Sequence, residues 1–446
     1  MLRHTSFRHP NFGSFIRPES FRFFYGYLLL IAGTIGIWFS IPGQTIGVSV
    51  FTDPVKDALG LSRNEFSNAY MIGTIMSALV IGRAGFWFDR YGARWVAFGA
   101  AVGISMTLAL ASVSPQTAQQ LAVITQMNRV YVAFTVITLL FFLLRFFGQG
   151  VLTMASRNMI MMWFDKYRGR ANMVTSISLS FGFSSAPIWL NSLIETFSWS
   201  GAWQLMAVAL LVFSIVILQV YRVRPEDHQL LPDGASNLSS DETQTTKPAA
   251  KKQFTLKEAR ATRAFWVFTF LLAFNSFFIT GLTFHVISIF ESTGLSKEDA
   301  VRIFLPGSFV SVTVSTVFNY LSDRSRLKYF AYLMMFGALL ACLGMFFLNQ
   351  QWGRALLIGG MGSLGGFFGV LNSVTWPRFF GRQHLGAITG RVMSILIFAS
   401  AIAPSMFSFS YTLLGSYRYM AYLGLFFILI LAIAGTKADN PQPHEN

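Results

Sequence analysis

The sequence predicts an all-α membrane protein with twelve transmembrane helices in two six-helix halves. Three observations carry that prediction. Hydrophobic residues make up 53% of the 446 positions and charged residues only 12%, with 47 Phe and a mean hydropathy of +0.52, whereas soluble domains hold about a quarter charged residues. The apolar residues fall in continuous runs long enough for a helix to cross a ~30 Å hydrocarbon core, without the alternating polar positions of barrel strands. Lys and Arg are dense in every second connection and sparse in the others.

In the first half the spans are 25–48, 66–85, 95–114, 133–162, 171–194 and 202–220. In the second they are 265–290, 300–320, 329–348, 355–376, 388–411 and 419–436. The chain thus divides into an amino-terminal segment (1–24), a six-helix half (25–221), a linker (222–262), a second half (263–436) and a tail (437–446). The linker contains LPDGASNLSSDETQTTKPAAKK, poor in apolar residues and rich in turn formers, and reads as flexible.

The net charge of +15, from 34 basic and 19 acidic residues, could signal a nucleic-acid partner, but its placement argues otherwise. Twenty-three of the basic residues lie on one side of the spans and seven on the other. The positive-inside rule makes the dense side cytoplasmic, with both termini there. The basic side chains then set topology and meet anionic lipid, so the expected partner is the bilayer and no nucleic acid. The first apolar run is too long for a cleavable signal and enters a polar loop. An inner or plasma membrane is the default location. The single cysteine, Cys342, excludes an internal disulfide and a cysteine-rich zinc site.

A repeat relates the halves. GFWFDRYGARW follows span 2 and NYLSDRSRLKY follows span 8, placing Asp89-Arg90 and Asp323-Arg324 in basic turns. Span 5 carries SFGFSSAP, ending at Pro187, and span 11 carries FASAIAP, ending at Pro404. Repeated six-helix halves are a transporter architecture.

On these residues the chain resembles the major facilitator superfamily. That family's signature after helix 2 is Gly, three residues, Asp-Arg, one residue, Gly and a basic residue, matched here by Gly85, Asp89-Arg90, Gly92 and Arg94. An Arg followed by closely spaced glycines in helix 4 is matched by RFFGQG, holding Arg145, Gly148 and Gly150. The Gly-Pro pattern of proton antiporters is replaced by SSAP, which argues against a drug/proton antiporter. More narrowly, the region from 47 to 80, GLTFHVISIF in span 7 and PRFFGRQHLGAITG after span 10 look like monocarboxylate and oxalate/formate-type carriers. The resemblance implies the major facilitator fold and a solute site between the halves near midplane, and a monomer is expected. It also implies that Asp89, with Arg90 and Arg94, latches the cytoplasmic side by facing the start of span 11 near Gly390 and Arg391. In the second copy Asn319 replaces the first Gly and the later Gly is missing, so that copy is expected to be weaker.

No carboxylate lies inside a span, so an intramembrane carboxylate site for protons or sodium is hard to build. Arg83, Arg157 and Arg391 lie near cytoplasmic span ends, where snorkelling suffices. Arg145 is about twelve residues into span 4, roughly 18 Å deep at 1.5 Å per residue. A charge there costs about 2.5–3.5 kcal/mol on insertion scales, and no partner carboxylate is evident. It could brace helix 1, bind an anion, or take part in gating; Gln149, a turn away, could share either role. Gln44 and Thr45 after the Pro42-Gly43 break, Asn275 and His285 in span 7, and Asn372 and Ser373 in span 10 could orient a carboxylate or hydroxyl, or simply join helices. Trp38 and Trp376 could wall a cavity.

The function expected is therefore alternating-access transport of a small organic solute, a monocarboxylate-like anion being favoured, with no cofactor and no metal. No glycine-rich phosphate loop ending in Lys-Ser/Thr is present, so gradients or exchange must supply energy. An exporter of uncharged hydrophobic compounds and a non-transporting sensor on the same fold are the alternatives. An enzyme is disfavoured, because no cluster of His or carboxylates shares one membrane depth.

Overall fold

The structure, a computed structural model, describes residues 15–234 and 252–442. Most of the predicted linker core lies outside the described residues. Contacts divide the chain into two compact units: 1–73, 83–166 and 181–247 form the first, and 74–82, 167–180 and 248–446 the second. Two short stretches of the amino-terminal half thus pack with the carboxy-terminal half.

In the first unit, α1 (Gly26–Trp38) ends before a 3₁₀ turn, Ile41–Gly43, and resumes as α2 (Thr45–Val50). Pro42 removes a backbone donor, so span 1 is a broken helix. After α3 (Thr52–Leu59), α4 (Arg63–Ser112) starts with a capping box between Ser62 and Glu65 and contains both span 2 and span 3. They are separated at Gly92, whose φ of 78° and ψ of 168° interrupt the helix. That φ favours glycine, which explains the motif residue. A helix absent from the sequence reading, α5 (Ser114–Thr125), follows. Span 4 comprises α6 (Arg129–Leu144), a π-helical stretch Arg145–Leu152, and α7 (Thr153–Trp163). Spans 5 and 6 are joined in α8 (Arg168–Val220), which breaks at Ser198.

In the second unit, α9 (Leu256–Arg260) leads to α10 (Arg263–Glu291), and α11 (Lys297–Arg302) precedes α12 (Phe304–Ser322). Then come α13 (Leu327–Phe346), α14 (Gln351–Phe380), α15 (Leu385–Leu414) and α16 (Arg418–Gly435). Small residues on α13 and α14, Gly337 against Ser363 and Ala341 against Gly360, let the backbones approach, as helices in lipid require. Among the described residues nine helices are long and apolar enough to cross a membrane. Two of these hold two spans each, and the broken α1–α2 supplies the first, so twelve spans are present. Large apolar side chains face outward, Leu79 at 73%, Val208 at 60% and Ile433 at 66% exposure, the surface that lipid would cover.

The linker is not flexible throughout, which corrects the sequence reading. Its first part folds back: Trp163 Nε1 donates to the Arg222 carbonyl (3.2 Å), and Arg222 Nη2 donates to that of Ile16 (2.6 Å). Asp233 Oδ2 accepts the backbone N–H of Lys166 (2.7 Å) and of Asp165 (3.1 Å). Its last part is pinned too, since Gln253 Oε1 accepts the N–H of Arg382 (2.8 Å) and Gln383 (3.0 Å). These anchors are backbone groups, and low hydropathy gives no sign of them.

Candidate functional site

The centre of the first unit is built from two irregular helices. Gly43, at the break in span 1, meets the π-helical stretch so closely that a Cβ there would lie 2.3 Å from the Leu144 carbonyl oxygen and 2.8 Å from Gly148 Cα. Glycine at 43 and 148 therefore permits a backbone-to-backbone contact no other residue allows. π-Helical turns of this kind recur at functional sites. This contact sets Arg145 beside the exposed carbonyls of the break.

Arg145 is 1% exposed. Its Nη1 donates to the Gly43 carbonyl (3.1 Å) and to Thr45 Oγ1 (3.3 Å), and its guanidinium lies 5.2 Å from the Tyr70 ring centroid. Tyr70 donates to the same Thr45 hydroxyl at 3.0 Å. Nε is buried without a hydrogen-bond partner, and among the described residues Nη1 is the only nitrogen of this guanidinium that donates. A guanidinium has five N–H donors, so the Nε–H and both Nη2 protons remain unmatched. No described carboxylate forms an ion pair with it. Beside it, Gln149 is half-buried with Oε1 unpartnered. Gln44 Nε2 donates to Ser40 Oγ (3.0 Å) and Thr153 Oγ1 (3.1 Å). Arg145, Gln149 and Gln44 thus share one unit around the span 1 break. Sequence reading missed Tyr70, Ser40 and Thr153, whose hydroxyls look like ordinary helix content.

The other three candidate binding residues lie in the second unit. Asn275 on α10 is 7% exposed with Oδ1 unpartnered, and Asn372 on α14 is also 7% exposed. Thr269 Oγ1, Thr375 Oγ1 and Trp376 Nε1 are buried without partners on the same two helices. Trp376 is core rather than a cavity wall, at 1% exposure and in ring contact with Phe265 and Phe380. His285 is ten residues beyond Asn275, about 15 Å along the helix. Its Nε2 lies 2.9 Å from the Pro404 carbonyl oxygen, which makes it the donor there, and its ring packs by Phe407 and Tyr417. It is not placed with the two asparagines.

The clearest electrostatic contact is in the repeat's second copy. Asp323, just past α12, accepts the backbone N–H of Gly169 (2.6 Å) and of Arg170 (3.3 Å) at the start of α8. A carboxylate at a helix amino terminus satisfies orphan N–H groups and the helix dipole. Burial raises the Asp323 carboxyl above its ordinary value, while these N–H groups and the charges of Arg170 and Arg378 pull it down. A Cβ on Gly169 would lie 2.0 Å from the Asn319 carbonyl oxygen, so the approach requires this glycine. Asn319 Oδ1 accepts from Asn172 Nδ2 at 2.7 Å, and Asn172 Nδ2 also donates to the Gly369 carbonyl at 3.0 Å. The copy expected to be weaker makes these contacts, with Asn319 adding a bond that glycine lacks.

In the first copy, Gly85 is buried and Asp89 half-buried. Arg90 and Arg94 lie over the rings of Tyr91 and Trp95, each 5.4 Å from the centroid. Gly92 presses on Val223, which a Cβ would meet at 2.3 Å. Arg391 on α15 is half-buried with Nε unpartnered. Among the described residues no three His, Cys, Asp or Glu side chains group to hold a metal ion.

Repeated apolar spans, a broken first helix and a buried cation facing it define a polytopic membrane carrier. The chain belongs to the Major Facilitator Superfamily, whose family model matches residues 23–377. No curated protein matches the chain by sequence. Among solved structures it is similar to a bacterial homologue of the iron transporter ferroportin in an outward-facing state, with TM-score 0.65 and 14% identity over 92% of this chain and 99% of that one. It is also similar to the human organic anion transporter MFSD10 (TETRAN), with TM-score 0.61 and 14% identity over 92% and 99% of the two chains. A third is the E. coli fucose:proton symporter FucP, at TM-score 0.59 and 14% identity over 92% and 98%. At that identity the likeness is one of fold. The protein is a multi-pass membrane transporter of this superfamily, not an enzyme.

Proposed function

We propose that the protein moves a small organic anion, monocarboxylate-like in size, across an inner or plasma membrane by alternating access, as a monomer with both termini cytoplasmic. One observation supports this above the others: Arg145 is buried, has no described carboxylate partner, and has three N–H protons without an acceptor among the described residues. A buried charge left uncompensated is costly, and a solute carboxylate would supply both the counter-charge and the acceptors. Gln149 and Gln44 would orient it. Asn275, whose Oδ1 is buried without a partner, and the buried Asn372 would meet its polar end, and His285 would act at the far end of α10. MFSD10, an organic anion transporter by name, is compatible with that solute class. With no carboxylate in the spans, exchange, facilitation, or entry with a proton carried on the solute fits better than a dedicated protein proton site.

Asp323 at the start of α8 would act as a cytoplasmic latch, released and remade in each cycle. Asp89, Arg90 and Arg94, with the freedom that Gly85 and Gly92 give their turn, would do the same against the start of α15 near Arg391.

A second reading is favoured by the bonds Arg145 does make. Its hold on the Gly43 carbonyl and Thr45 hydroxyl would brace the span 1 break in a carrier of uncharged hydrophobic compounds. Thermal stabilisation across a library of organic anions and neutral solutes, run on wild type and Arg145→Lys, separates the two. Stabilisation by anions that Arg145→Lys weakens supports the first. Stabilisation by neutral apolar compounds alone, unchanged in Arg145→Lys, supports the second.

A further inference from the structure

At the end of α13 remote from Asp323, the second unit has an open cavity of about 300 Å³ between the ends of α10, α13 and α15 and the start of α16. Its lining includes Ile289 and Met345, both buried. Its wall carries Tyr417, held in place by Ser288, whose Oγ lies 2.9 Å from the phenol, and by stacking on Tyr411 at 4.8 Å. Its mouth carries Arg418 and Asn349.

The Arg418, Asn349 and Tyr411 side chains are exposed, so their donors are open to solvent at the cavity. Among the described residues the Arg418 guanidinium, the Asn349 amide and the Tyr411 hydroxyl have no hydrogen-bond or ion-pair partner. Arg418 also stands on the side that the positive-inside pattern leaves poor in basic residues. On that same side Lys56 pairs with Asp57 and Arg63 with Asp53, while among the described residues Arg129, Lys297, Arg302 and Arg354, like Arg418, form no ion pair. Arg418 lines the cavity together with Tyr411 and Asn349, and a guanidinium, a phenol and an amide are donor types that bind an oxyanion.

We propose that this cavity is a binding site for an oxyanion, a phosphate or carboxylate held by Arg418, Tyr411 and Asn349. The same chemistry could arrive as a lipid headgroup or as a free anion. The exposed Leu413 and Leu414 beside the mouth would suit the acyl chains of the former.

The test uses the full chain in nanodiscs of phosphatidylcholine, with and without inorganic phosphate, and in discs of phosphatidylglycerol. Thermal unfolding is read for wild type, Arg418→Gln, Tyr411→Phe and a remote control, Arg129→Gln. Wild type is expected to unfold at a higher temperature with phosphate, with phosphatidylglycerol, or with both. Arg418→Gln should lose that shift, Tyr411→Phe should reduce it, and Arg129→Gln should keep it. A response to phosphatidylglycerol alone identifies a headgroup site, and a response to phosphate alone a site for free anions. Arg145→Lys, which tests the central site, should leave this response in place. The proposal is overturned if wild type responds to neither addition, or if Arg418→Gln responds as fully as wild type.

Discussion

Asp323 Oδ1 accepts the backbone N–H of Gly169 at 2.6 Å, joining the turn after α12 to the first turn of α8. A charged acceptor on a helix N–H is worth about 1.5–3 kcal/mol. Replacing Asp323 with Ala should therefore open the first turn of α8, speeding amide exchange at Gly169 and Arg170 by about tenfold or more. Hydrogen exchange resolved to residues 168–172 measures this. Unchanged protection there would show that the contact contributes nothing in solution.

The same carboxyl gives a pH prediction. Burial holds its pKa above the ordinary value in the folded state, so folding favours the protonated form. By linkage, its contribution to stability is present at low pH and is lost as pH rises through the raised pKa. The Asp323→Asn variant lacks this titration. Its unfolding temperature relative to wild type should therefore climb as pH rises from below the usual carboxylate range to neutrality. A difference that stays flat or falls would contradict the assignment.

Gly169→Ala should fail for steric reasons. The added Cβ would lie 2.0 Å from the Asn319 carbonyl oxygen and 2.3 Å from Ser322 Oγ. Overpacking of this kind costs about 1–3 kcal/mol, and it should also part Asn172 from Asn319. Unfolding temperature and transport rate should both drop.

Gly43→Ala drives a methyl group to 2.3 Å from the Leu144 carbonyl oxygen, a backbone atom that cannot rotate away. It should separate the span 1 break from Arg145 and lower stability by about 1–3 kcal/mol. Gly99→Ala on α4 is the matched control, because a Cβ there meets nothing within 4 Å. It should be neutral or stabilising by up to about 1 kcal/mol. Thermal unfolding of the pair checks both.

Asp233→Ala removes the acceptor for the N–H groups of Asp165 and Lys166, three to four residues before the α8 turn that Asp323 holds. Exchange at 165 and 166 should rise, with residues 168–172 following if the loop moves as one piece. Peptide-level hydrogen exchange distinguishes a local from a spreading effect.

Most of the fold is legible in the sequence because a bilayer leaves few ways to satisfy a long apolar run. The Gly92 break and the Pro42-Gly43 break are legible too, since each residue has one physical reason to be there. The π-helical turn is not, because neither its two glycines nor Arg145 and Gln149 signal a change of helix type. α5 is hidden in a polar stretch that gives no strong periodic signal. Arg145 is legible as a buried charge, but its bond to the Gly43 carbonyl depends on how two irregular helices meet. The Asn172–Asn319 bond has no sequence signal at all, and Asn319 reads as a lost glycine until its partner is known.

The central claim is that Arg145 holds the charge of a transported anion, and uptake into proteoliposomes tests it most directly. Lactate, formate and oxalate should be taken up by wild type, with fucose and xylose as neutral controls. Arg145→Gln should abolish anion uptake and Arg145→Lys should retain part of it, both folded as judged by thermal unfolding. Absence of anion uptake by folded wild type, or full uptake by Arg145→Gln, would contradict the account.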